Sequence, residues 1–277
     1  MLDKLTFEIQ ESPVLYEVDG TILTSNKHKV LSRSDNNLEL STVKKTYCPT
    51  TNEHFMRSTE KMVEISGFEF AGYSEFSDGR VVIAHLKNNL YDSHIGGHKI
   101  ADYLILGSSC DMRFPFFIGD TTVLLRCENQ FSKISKIERV RHTSSCVRKV
   151  DELIKSLEIY FKSRKIMYEN FDRMINYKID PHIKNLAIDY VLKISEEDRL
   201  DESISTRKAN QLEALNLSIW SEMSDLGHNL WGLFNGVTKY TTHTLKQKNP
   251  AFGNIFGTAA DINNRAYNFS VKQLQLV

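Results

Sequence analysis

The chain has 277 residues, enough for one large domain or two small ones, and its 41% hydrophobic and 25% charged residues are those of an ordinary globular protein. Lys+Arg and Asp+Glu are equal at 35 each, so no global charge draws the molecule to nucleic acid or membrane, and any such attraction must come from local patches. Met1-Leu2-Asp3-Lys4-Leu5 lacks the apolar core of a signal peptide and no run is long and apolar enough to span a bilayer, which is the pattern expected of a cytoplasmic protein without a membrane partner.

Val14 to Leu23 places apolar residues on both sides of Asp19-Gly20, a pair suited to the type I′ turn because both central residues need positive φ, so a β-hairpin is expected. Two short strands follow at Lys29–Arg33 and Leu38–Val43, around Asp35-Asn36-Asn37. Thr51 or Asn52 can cap a helix with Phe55, Met56, Thr59, Met62 and Val63 on one face, closing near Gly67. A second hairpin pairs Phe68–Phe76 with Val81–Leu86 across Ser77-Asp78-Gly79. Residues 88–99 read as a loop and Ala101–Leu106 as a strand; Gly119-Asp120 is expected to turn the chain into a last strand, Thr121–Cys127.

The period then changes from two to about 3.6. Ser144 or Ser145 can cap a helix of roughly 30 residues with Val150, Ile154, Leu157, Phe161, Phe171 and Ile175 on one face, ~45 Å long if unbroken. Asp180-Pro181 starts another helix, Glu196–Glu202 is an acidic break, and helical patterns resume at 208–224, 226–245 and 259–276. The expected fold is α+β: an antiparallel meander in the N-terminal half with helices packed on it, residues 1–145 being β-rich and 146–277 helical within one continuous globular unit.

The strongest chemical signal is basic. Lys133, Lys136, Arg139, Arg141, Arg148 and Lys149 crowd into one stretch in which Glu138 is the only acid, a local balance of +5. With Arg126, Asn129 and His142 they form a candidate site for phosphates, where the β layer gives way to the first long helix. Phe114, Phe116, Phe117 and Phe131 lie near this run and could stack on bases if exposed, although phenylalanines on a meander are usually core. Other constellations are weaker. His94 and His98 with His85 and His142 lack the carboxylate that would complete a metal site, and Cys127 with His142 would be a nucleophile and base only if the thiol left its strand. The four cysteines, Cys48, Cys110, Cys127 and Cys146, contain no CxxC pair and are expected to be free thiols. No phosphate-binding glycine loop, HExxH or GxSxG motif is present, so neither a catalytic residue nor a cofactor is assigned.

Several segments resemble a known family. Ser32-Arg33-Ser34-Asp35 with Leu38 to Tyr47, Leu106 to Asp111, Leu124-Leu125-Arg126-Cys127-Glu128-Asn129 with His142-Thr143, and Trp231 to Tyr240 with His243 are similar to the phage/plasmid-like protein family, domain of unknown function 932. Where that family has His-Asp-Gly, this chain has Cys110-Asp111-Met112. The resemblance implies a setting in phages, prophages or plasmids, and through it DNA metabolism, without an activity. The order helix, meander, long helix is also similar to that of Rad52-like annealing proteins, a likeness of topology that implies oligomeric rings. The expected function is therefore binding of single-stranded nucleic acid by a possible homo-oligomer in replication or recombination. The alternatives are a metal-dependent nuclease using Glu69, Glu75, Asp78 or Asp111, and a non-catalytic interaction factor docking through its C-terminal helices.

Overall fold

The computed structural model describes residues 5–88, 94–95, 97–124, 129–133, 139–155, 157–200, 204–248 and 250–276. Strands β1 (Ile9–Val18), β2 (Thr21–Arg33) and β3 (Glu39–Lys44) precede helix α1 (Asn52–Ser66). Strands β4 (Glu69–Phe76), β5 (Val81–Lys87), β6 (His94–Ile95), β7 (His98–Ser109), β8 (Phe116–Leu124), β9 (Asn129–Lys133) and β10 (Arg139–Val140) follow. The remainder is helical: α2 (Cys146–Lys155), α3 (Leu157–Asn176), α4 (Pro181–Leu192), α5 (Glu196–Leu200), α6 (Thr206–Leu226), α7 (Leu230–Lys239), a π-helical turn (Tyr240–Thr244), α8 (Pro250–Phe256) and α9 (Thr258–Gln275). Antiparallel sheets come first and helices after them, so the fold is α+β. No helix among the described residues is long and apolar enough to cross a membrane.

The chain divides into two compact units, each built from three segments: Met1–Tyr91, Tyr103–Asp120 and Ile134–Tyr160 in the first, and Asp92–Asp102, Thr121–Lys133 and Phe161–Val277 in the second.

In the first unit, β1 and β2 form a ribbon closed by Asp19 and Gly20 at φ +50° and +78°, the left-handed pair that a mirror-image turn requires. Strand β3 pairs only with His28–Ser32 of β2, leaving the far end of the ribbon two strands wide, with Leu15, Tyr16, Val18, Ile22 and Leu23 exposed. Helix α1 starts where the Thr51 hydroxyl accepts the His54 N–H at 3.1 Å, and stops where Gly67, at φ +70°, returns its N–H to Val63. Beyond it, β4 and β5 join through Ser77, Asp78 and Gly79, all at positive φ, and β5 pairs in turn with β7.

Two expectations shift. The strand expected at Thr121–Cys127 begins at Phe116, as β8, and Gly119 and Asp120 lie inside it instead of forming a turn. Burial of the successive apolar residues Phe116, Phe117 and Ile118 outweighs the turn preference of Gly-Asp, and the Phe117 ring occupies the space that a side chain at Gly107 would fill. Strand β7 is longer than expected, and His94–Ile95 pairs with its start where a loop was expected. Helices α2 and α3 cover the span of the expected 30-residue helix, with residue 156 outside the described residues.

The second unit is built around an aromatic cluster: Phe131 lies 5.1 Å from Phe234 and 5.4 Å from Tyr267, and Phe171 lies 5.2 Å from Trp231, between ring centroids. Helices α6 and α7 approach closely because Gly232 and Gly236 share one face of α7. A Cβ at Gly232 would meet the Gly227 carbonyl, and one at Gly236 the Ile219 backbone. A polar network ties β9 to the C-terminal helices. Asn263 accepts from the Thr241 hydroxyl at 2.8 Å and donates to the Gln130 carbonyl at 3.3 Å, while the Gln130 N–H donates to the Thr242 hydroxyl at 3.1 Å.

Candidate nucleic-acid interface

The basic stretch can be followed from β10 into α2. Strand alternation turns Val140 and His142 inward and leaves Arg139 and Arg141 exposed. The chain then tightens: the Cys146 N–H donates to Thr143 O at 2.8 Å and the Lys149 N–H to Ser145 O at 3.0 Å, starting α2. Cys146, Val150 and Ile154, four residues apart, bury one face, so Arg148 and Lys149 stand on the other.

His142 anchors this turn from beneath. It is 8% exposed, with Nδ1 3.4 Å from the Thr50 hydroxyl and 3.9 Å from the Cys146 thiol, and Nε2 3.5 Å from the Ser108 hydroxyl. The Tyr47 ring lies 5.4 Å away, and the Cys48 N–H donates to the His142 carbonyl at 3.5 Å. Each bond is at the long end of its range, and together they join three segments. Burial pushes the imidazole down to about 4, so it is neutral near pH 7, and burial raises the Cys146 thiol. A neutral imidazole beside a protonated thiol is not an activated nucleophile, and the arrangement serves to fix two turns together.

The second turn carries charge of its own. Lys44 and Lys45 are exposed where β3 ends, and the Lys45 N–H donates to Lys27 O at 2.9 Å, adding a third exposed lysine. The Cys48–His142 bond falls three residues after Lys45 and one after Arg141. Two basic segments almost a hundred residues apart in sequence therefore meet over the His142 anchor. Lys27, Lys44, Lys45, Arg141 and Lys149 have no ion-pair partner among the described residues, whereas Arg148 bonds Glu152 on its own helix and Arg139 is engaged. The Lys44-Lys45 pair was visible in the sequence, but nothing there showed that the turn after it would bond the residue following Arg141.

The other candidate residues lie elsewhere. Arg126, Lys136 and Cys127 are outside the described residues, as is the side chain of Lys133, whose backbone ends β9. Asn129 belongs to the second unit and is 3% exposed, donating to Asn235 O at 3.3 Å. Phe116, Phe117 and Phe131 are buried, and Phe114 is half-buried. The cysteine next to His142 is Cys146; Cys48, Cys110 and Cys146 are free. Of the carboxylates, Glu75 bonds Arg33 at 3.0 Å, Asp78 lies 3.8 Å from Arg80, Asp111 bonds Arg113 and Glu69 is engaged. His85 bonds Ser74 at 3.0 Å, and no cluster of three potential metal ligands occurs among the described residues. On the C-terminal helices, α6 exposes Leu217 and Trp220.

A family model described as a domain of unknown function, DUF932, matches residues 39–266. The chain belongs to the DUF932 family. No curated protein and no solved structure matches it. The match takes in both basic turns, the His142 anchor and the α6–α7 contact. Within this DUF932 chain, the block Trp231 to Tyr240 forms α7, where its two glycines admit α6 and Asn235 donates to Trp231 O at 2.9 Å.

Proposed function

We propose that the protein binds single-stranded nucleic acid on the surface where the β3 and β10–α2 turns meet, with Lys27, Lys44, Lys45, Arg141 and Lys149 contacting phosphates and Arg139 and Arg148 beside them. The observation that carries this reading is the junction of two exposed basic segments over a buried, uncharged anchor. Five cations without acidic partners among the described residues would repel one another on a solvated surface, and a polyanion relieves that repulsion while releasing its own counterions. The anchor matters because phosphate contacts are worth most when the cations are already positioned. His142, buried and neutral, is a positioning residue in this scheme, and Asn129 belongs to the folding of the other unit. Resemblance to proteins of phages, prophages and plasmids suits a role in replication or recombination there, including annealing by an oligomer.

The test is fluorescence anisotropy of a labelled thirty-nucleotide dT strand at several salt concentrations. Each phosphate contact on a single strand contributes about 0.7 to the salt slope, so K45E/R141E should lower it by ~1.4 and weaken binding at low salt. Wild-type protein that ignores the strand at low salt, or a double variant that binds as wild type does, refutes the reading.

A further inference from the structure

Within the second unit, the N-terminal part of α6 and the π-helical turn after α7 line an open cleft of about 500 Å³. We propose that this cleft binds a phosphorylated small molecule of nucleotide size, with its phosphate between Arg207 and Lys246 and a hydrogen bond from the Tyr240 hydroxyl.

Charge is the first argument. Arg207 comes from the start of α6 and Lys246 from the segment after the π-helical turn, and no acidic residue among the described residues lines the cleft. Both are exposed, and neither has an ion-pair or hydrogen-bond partner among the described residues. Two cations brought to one concave site from separate segments, without a carboxylate between them, select an anion. Arg offers a planar fork to phosphate oxygens, and Lys adds a point charge.

Tyr240 is the second and independent observation. Its ring is buried and lines the cleft, while its hydroxyl, which is not among the fully buried atoms, has no hydrogen-bond partner among the described residues. A buried phenol usually finds a partner, and one turned to the wall of a cleft is placed to meet a ligand. Burial raises its pKa and the nearby Arg207 opposes that rise, so the hydroxyl stays protonated and acts as a donor.

Backbone geometry supplies the third. Tyr240–Thr244 is π-helical, with the Leu245 N–H donating to Tyr240 O at 2.8 Å, a wide and rare turn that is frequent at functional sites. The turn is braced: Thr241 donates to Asn263 beneath it and Gln247 donates to the Thr241 carbonyl at 3.1 Å. The volume is within the ~300–1,000 Å³ of small-molecule sites, too large for a bare phosphate, and the Asn210 and Gln211 amides can meet a sugar or base. Every lining residue belongs to the second unit, so this proposal stands apart from the nucleic-acid surface of the first.

The experiment is calorimetric titration of the full chain with thymidine monophosphate, inorganic pyrophosphate and thymidine, alongside a 5′-phosphorylated ten-nucleotide dT strand. The two small phosphates should bind and thymidine should not. R207Q/K246Q, which alters exposed side chains and so should fold, should lose at least tenfold in affinity for both, and Y240F about threefold. No binding of either small phosphate at millimolar concentration, or unchanged affinity in R207Q/K246Q, overturns the proposal. A variant effect on the strand alone overturns it too, because the ligand would then be a polymer. If Y240F fails to fold, the double variant decides.

Discussion

Arg33 holds both carboxylate oxygens of Asp35, with Nε at 2.9 Å and Nη2 at 2.7 Å, while its Nη1 reaches Glu75 at 3.0 Å and the Asp78 carbonyl at 3.2 Å. The guanidinium also lies over the Phe7 ring, 3.7 Å from its centre. One side chain thus fixes the β2–β3 turn to β4 and the turn after it.

The hydrogen bonds from Arg33 hold the Asp35 carboxyl below its ordinary value of 3.8. A carboxyl depressed in the folded state contributes stability above its unfolded pKa and loses it as pH falls through the lower folded value. D35N should therefore flatten part of the acid limb of a urea-midpoint profile below about pH 4. An acid limb identical to that of the wild type would show that the pair contributes nothing.

His142 works in the same direction for a different reason. Its folded pKa is about 4 against an ordinary 6.5, so between those values the unfolded chain binds more protons and stability falls as pH falls. This one group should remove about 1.4 kcal/mol per pH unit across that window, and H142Q should lose that slope while being less stable at pH 7. Chemical denaturation at half-unit steps from pH 4 to pH 7 measures the difference. Parallel profiles for the two proteins would mean that His142 titrates normally.

Asn263 is fully buried and serves the Thr241 hydroxyl and the Gln130 carbonyl together. N263A removes a partner from each, although the Thr241 hydroxyl keeps its bond to the Thr238 carbonyl at 3.0 Å, and the loss of two buried hydrogen bonds costs about 1–3 kcal/mol. The loss should exceed that of T242A, whose hydroxyl is one half-buried acceptor for the Gln130 N–H. Equal losses in urea unfolding would show that the network is not centred on Asn263.

Gly236 faces the Ile219 backbone, which cannot yield as a flexible side-chain tip would. G236A gains helix propensity of about 1 kcal/mol, but it forces α7 away from α6 and should destabilise the protein by about 1–3 kcal/mol net. A variant as stable as wild type in thermal unfolding would mean that the two helices can separate without loss.

The hairpins and α1 were legible in the sequence because Asp19-Gly20, Ser77-Asp78-Gly79, Thr51 and Gly67 are local devices whose φ values or caps depend on the residues themselves. The start of β8 was not, since Gly119-Asp120 has the composition of a turn and only the packing of Phe117 against Gly107 overrides it. The basic residues after β9 were visible as charge. That Thr50 and Ser108 would close around His142, over separations of 92 and 34 residues, was not, because periodicity carries no information about such contacts.

Each unit is stitched from three stretches, and each borrows its middle stretch from between two stretches of the other. No single cut along the chain releases either of them whole. Stopping at residue 120 would strip the first unit of the turn that carries His142 and of all of α2, and starting at residue 161 would strip the second of β9 and hence of Phe131 and Gln130. The two are expected to be inherited, expressed and lost together, and a truncated chain that stayed soluble would not represent half of this protein.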